Sequence, residues 1–312
     1  MRLTTVAFLI SAALARAALA QTPPPAPAAL DWSADDSARI GDLTKNGRRY
    51  PGHHAIVWAP PDSLDPSHVV ALVDSLDLSL SALKDLMGAP YTWQRLGGRP
   101  VQFYLSPGRF VSHATGRGAV LVPLWRVQQG AAPLLHEASH ELLATTAPFY
   151  PWELADSLAR HSAETLFPLW LSEGLADYLA QATAAATGFH EGDIFHVGGL
   201  QHVDSVCAAR LAVSPWRAAI VGKVGGQGRL DALFTTDRAE VAPTFYPCSQ
   251  SLTKYLVQQI GVREVVGLFP AIPVGAWAAA LETRLGEAVA DLRRAWLAKL
   301  GLPALADHAA SP

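Results

Sequence analysis

Residues 136–140 read His-Glu-Ala-Ser-His, and that pentapeptide constrains the fold more than any other part of the chain. An α-helix repeats every 3.6 residues, so histidines four apart leave the same face one turn apart. His136 and His140 are thereby placed to bind one metal ion, with Glu137 beside them to handle a proton. The surroundings favour a helix. Leu134, Leu135, Ala138, Leu142 and Leu143 recur at near-helical spacing, and Pro133 suits a first helical turn. A catalytic zinc site usually takes three protein ligands and leaves the fourth position to water, so a third ligand must arrive from elsewhere.

The segment Trp170-Leu171-Ser172-Glu173-Gly174-Leu175-Ala176-Asp177-Tyr178 offers one. Glu173 and Asp177 are four apart and share a helical face. Glu173 can ligate the metal while Asp177 accepts the free ring N–H of a metal-bound histidine, which fixes the tautomer and raises ligand basicity. The alternative is an amphipathic helix with solvated acids. The apolar neighbours of both carboxylates weigh against it, since unpaired charge among them is expensive.

HEASH followed by WLSEGLADY resembles the gluzincin metallopeptidases, in particular the peptidase-MA-like proteins and their thermolysin and aminopeptidase relatives. The resemblance implies one Zn²⁺ ion held by His136, His140 and Glu173, with Glu137 as the base that activates water and Asp177 supporting a histidine ligand. A third segment fits the same resemblance: Phe245-Tyr246-Pro247-Cys248-Ser249-Gln250-Ser251-Leu252 leads through Tyr255-Leu256-Val257 to Gly261. It is similar to the tyrosine-bearing helix of the aminopeptidase branch, and by that match Tyr246 donates a hydrogen bond to the oxyanion formed during attack. The other reading of Tyr246 is a half-buried packing residue. The likeness spans roughly residues 54–300, with its specificity in these three motifs.

The chain departs from the family pattern in two places. The interval between His140 and Glu173 is long, and its extra segment, about residues 145–167, carries Pro148, Phe149, Tyr150, Pro151 and Trp152. It reads as a lid over the cleft or as a surface loop. There is also no counterpart of the Gly-x-Met-Glu-Asn strand that captures a free N-terminus, so the resemblance does not extend to aminopeptidase specificity.

Residues 1–20 read as a secretory signal peptide, with an uncleaved anchor as the alternative that the short apolar run weighs against: Arg2, an apolar run from Val6 to Leu14, and Ala18-Leu19-Ala20 before Gln21. Residues 21–30 form a Pro/Ala-rich tether. Residues 31–312 are expected to be one peptidase-MA-like domain, with a sheet lobe at about 50–146 and a helical lobe at about 147–300. The expected setting is exported, periplasmic or secreted, in a bacterial envelope. No later segment is long and apolar enough to cross a bilayer. Half of the residues are hydrophobic and 16% are charged, which describes a globular chain and not a disordered one. A net charge of −3 leaves no footprint for nucleic acid or acidic lipid. Cys207 and Cys248 are the only cysteines, and in an exported protein such a pair suggests a disulfide; two buried thiols are the alternative.

Periodicity places a strand at His54–Ala59, a helix at about Pro66–Met87, and strands at Pro100–Ser106 and Ala119–Trp125. The last precedes HEASH, as the active-site edge strand does in the resembling families, where a peptide pairs with that edge. Beyond HEASH nearly everything reads as helix: about 167–185, 202–213, 228–235, 247–260, 262–268, 275–285 and 287–299. The fold class is therefore α+β: a small mixed-sheet N-terminal lobe, a mainly helical C-terminal lobe, and a zincin-like cleft between them. His190, His196 and His202 sit in a Gly- and Asp-rich stretch that reads as a loop near the cleft or as a second ion site. His53, His54, His113 and His161 read as structural or surface residues, and Asp35, Asp36 and Asp307-His308 as solvated ends.

These observations lead to an exported zinc metallopeptidase acting on a peptide or protein substrate. Two other readings stay open: a non-peptidase zinc hydrolase, and a non-catalytic envelope module that binds peptide and carries a zinc site. The oligomeric state is unknown.

Overall fold

The computed structural model describes residues 34–88, 99–115, 118–146, 168–226, 238–268 and 277–306. The leader, the tether, the 145–167 segment beyond Thr146, the helix expected at 228–235 and the Asp307-His308 tail lie outside them.

Three parallel strands form the centre of one mixed sheet: β2 (Ala55–Ala59), β3 (Val101–Ser106) and β5 (Ala119–Pro123). Two antiparallel strands flank them, β1 (Arg48–Pro51) beside β2 and β4 (His113–Ala114) beside β5, giving the order β1-β2-β3-β5-β4. The central strands are apolar along nearly their whole length because both faces are covered. Val57, Phe103, Leu105, Val120 and Val122 face the main core, while Tyr104, Ala119 and Leu121 pack with Leu43 and Ile40 of α1 (Ala34–Asn46).

Helix α2 (Pro66–Met87) follows its sequence signals closely. Asp65 caps it by accepting from Ser67 N, Pro66 opens its first turn, and Gly88 ends it at φ +88°, where other residues are strained. Val69, Val73, Leu76, Leu80 and Leu83 bury its apolar stripe against the sheet and the helices behind it.

Short α3 (Leu124–Gln128) leads from β5 towards α4 (Leu134–Thr146), the helix of HEASH, and α5 (Leu169–Thr187) carries Glu173 and Asp177. The remaining helices are α6 (Val203–Val213), α7 (Arg217–Lys223), α8 (Arg238–Ile260), α9 (Val262–Val266), α10 (Trp277–Leu285) and α11 (Val289–Lys299). One hydrophobic cluster runs from β2 and β3 through α2, α4 and α5 to α8 and α11, so the sheet and helical sections share a core. Among the described residues no helix is long and apolar enough to cross a membrane.

Two expectations need correction. The strand before HEASH is not the sheet edge: β5 ends at Pro123, and the two-residue β4 folds back to cover it. A strand so short leaves no alternation for periodicity to detect. The tyrosine helix does not begin at 247 either. It starts at Arg238 and continues through Pro243 and Pro247, the residues that ordinarily end a helix.

Candidate metal centre

Helix α4 starts with help from far away in sequence. The Glu191 carboxylate accepts hydrogen bonds from Leu135 N and His136 N, both at 2.9 Å, at the helix end where negative charge is favourable. The approach is close because residue 192 is glycine: a Cβ there would lie 2.4 Å from the Ala131 carbonyl carbon. One turn of α4 then separates His136 from His140, whose rings meet edge to face with centroids 4.7 Å apart.

Helix α5 brings Glu173 to that pair. His136 Nε2 and His140 Nε2 are 3.2 Å apart, and each lies 3.4 Å from Glu173 Oε2. Donors bound about 2.0–2.1 Å from one ion at tetrahedral angles sit about 3.3–3.4 Å apart, so this set fits a single small ion. His136, His140 and Glu173 are the one group of this kind among the described residues. One turn further along α5, Asp177 Oδ1 lies 2.7 Å from His136 Nδ1. A carboxylate can only accept, so Nδ1 carries the proton and Nε2 keeps its lone pair for an ion.

Burial and mutual charge shift titratable groups of this site. Glu137, Glu173, Asp177, Glu191 and Asp193 line one cavity together with His113, Arg126, His136 and His140. Burial alone would push the His136 imidazolium down, but the charge and hydrogen bond of Asp177, with Glu173 and Glu137, hold it well above its ordinary value. Burial raises Glu173 as well, yet the charge of His140 and hydrogen bonds from both histidines win and hold it well below the carboxylate range. For Glu137 burial prevails over the neighbouring histidines and raises its carboxyl. Burial pushes Glu191 up to about 8, against the two backbone N–H groups.

The cavity measures about 670 Å³ and opens between β4, α4, α5 and α8. Its rim runs from Val111 to Ala114, and Tyr246 with Pro247 forms part of the opposite wall. Glu141, next to His140 and fully buried, holds that rim: it accepts from Thr115 N at 2.5 Å, Thr115 Oγ1 at 2.9 Å and Gly118 N at 2.6 Å. The edge strand is thus tied directly to the HEASH helix. No family model matches this chain, and no curated protein or solved structure matches it either.

All of the residues singled out around the motifs meet here: His136, Glu137, His140, Glu173, Asp177 and Tyr246 line the same cavity. Cys207 and Cys248 are bonded, joining α6 to α8 beside it. His190, His196 and His202 do not converge on an ion; His190 Nε2 lies 3.0 Å from Gly130 O instead. Asp36 is no solvated end. Its Oδ2 lies 3.1 Å from His113 Nε2, and His113 lines the cavity. Sequence reasoning passed over Glu191 and Glu141. For Glu141 the available signal was an acid set beside Leu142 and Leu143, where free charge is costly; Glu191 in its polar loop offered none.

Proposed function

We propose that this chain is an exported zinc-dependent peptidase of the gluzincin type with a zincin-like cleft. One observation carries the reading: three donor atoms from two helices stand 3.2–3.4 Å apart, with Asp177 on the far nitrogen of His136 and Glu137 alongside. The spacing fits one small ion, and a donor set of two imidazoles with one carboxylate, which zinc favours, supports the choice of zinc.

His136, His140 and Glu173 would hold the ion, and Asp177 keeps His136 in the tautomer that can do so. Bound there, zinc supplies Lewis acidity, which lowers the pKa of water to about 7 and polarises a carbonyl. Glu137 takes the proton from the attacking water; burial raises its carboxyl, which makes it the stronger base. It then passes the proton to the amine as the C–N bond breaks. Tyr246 donates to the oxygen that gains charge. An extended substrate adds a strand along β4, the sheet edge that borders the cavity. The buried Cys207–Cys248 bond supports an oxidising compartment.

The test measures zinc content and peptide cleavage on one purified sample each of wild type and Glu137→Gln. One zinc per chain in both, with cleavage in wild type alone, is the expected result. Undiminished cleavage by the variant would remove Glu137 as base, and zinc in neither protein would end the reading altogether.

A further inference from the structure

We propose that Arg210 is a positioning residue for Tyr246, holding in place the turn of α8 that carries the phenol. The role rests on the hydrolase reading above, and it starts from a defect in a helix. Pro247 has no N–H, so the carbonyl four residues back, that of Pro243, has no helical donor. Tyr246 lies within that broken turn. An orphaned carbonyl at a buried helix contact is costly unless another donor reaches it.

Arg210 of α6 reaches it. Its Nη1 donates to Pro243 O, and its Nη2 donates to Phe195 O at 2.5 Å. Phe195 in turn stacks on Tyr246, with ring centroids 4.6 Å apart and planes 20° from parallel. A single guanidinium therefore grips both the backbone beneath the phenol and the residue whose ring lies against it. The planar fork of arginine can serve two carbonyls at once, which the point charge of a lysine cannot do with fixed geometry. The loop bearing Phe195 is pinned again just beyond it, where Asp193 accepts from Val197 N at 2.8 Å and Gly198 N at 2.7 Å. The Cys207–Cys248 bond joins the same two helices, three residues before Arg210 and two after Tyr246. α6 is thus the fixture against which the broken turn is held.

A double-mutant cycle on the zinc-loaded full chain separates this role from general stabilisation. Tyr246→Phe is expected to lower kcat on a peptide substrate by about 100-fold. Arg210→Lys is expected to lower kcat by about tenfold with KM changed less than twofold, and to lose that effect in the Tyr246→Phe background. Independently of activity, amide exchange over residues 244–250 should quicken by about tenfold in Arg210→Lys while zinc content and exchange in α4 and α5 stay as in wild type. Phe195→Leu removes only the stacked ring and is the second arm if Arg210→Lys does not fold; its kcat loss must likewise vanish beside Tyr246→Phe. Losses that add in both backgrounds, or unchanged exchange over 244–250, overturn the role while leaving the hydrolase reading intact. A wild-type chain that binds zinc and cleaves nothing overturns that reading and this role with it.

Discussion

Gly174 stands next to the candidate ligand Glu173, and the distance between α5 and α8 depends on its lacking a side chain. A Cβ at residue 174 would lie 2.4 Å from Ser249 O, 2.5 Å from Thr253 Oγ1 and 2.6 Å from the Ser249 carbonyl carbon. Comfortable contact needs about 3.5 Å, so Gly174→Ala must part the two helices by about 1 Å at this point. The Ser249 carbonyl belongs to the α8 backbone and cannot rotate aside. Overpacking of this kind costs about 1–3 kcal/mol, against a gain of about 0.5–1 kcal/mol for replacing glycine inside a helix. The net expectation is a loss of about 1 kcal/mol and at most about 2.5 kcal/mol, read as a lower urea midpoint at unchanged slope. Gly222 of α7 is the internal control, since a Cβ there meets nothing within 4 Å, and Gly222→Ala should cause no loss. The displacement also moves Tyr246 relative to Glu173, and a misplacement of about 1 Å lowers turnover by about 100-fold. A Gly174→Ala protein as stable as wild type would refute the close-approach argument. One that is destabilised but retains full turnover would detach helix spacing from catalysis.

Two further expectations concern the charges around the centre. Asp177→Asn keeps an acceptor for His136 Nδ1 but removes its charge, so zinc affinity measured against a competing chelator should fall about 10–100-fold; unchanged affinity would deny Asp177 its supporting role. Glu191 has a folded pKa of about 8, above the ordinary 4.5, so its contribution is complete below about pH 4.5 and is lost as pH rises towards 8. Chelated protein should lose stability across that window by at most about 1.4 kcal/mol per pH unit, and Glu191→Gln should flatten the profile; the same slope in both would point to another group.

The parts of the fold legible in sequence are those whose cause is local. α2 carries its cap, its opening proline, its apolar stripe and its closing glycine within the segment itself. HEASH and the Glu173–Asp177 pair are equally self-contained, because helical spacing alone decides which side chains share a face. What escaped has causes that lie elsewhere in the chain. β4 is held by pairing with β5 and by Glu141, which accepts from Thr115 N and Gly118 N. Helix α8 survives two prolines with a donor supplied from α6. The polar segment of α1 is ordered by covering the second face of the sheet through Leu43 and Ile40, which its own sequence does not announce.

Both borders of the sheet are guarded against unwanted company. A row of unpaired main-chain groups invites a second molecule to zip on, and proteins blunt it with charge, proline or brevity. β1 uses two arginines and Pro51, while β4 is merely two residues long. That brevity limits a docking peptide as much as it limits an aggregating neighbour. If the chain is the peptidase proposed above, main-chain pairing along β4 would register only a residue or two of substrate, and discrimination between sequences would fall to the side-chain walls of the cavity.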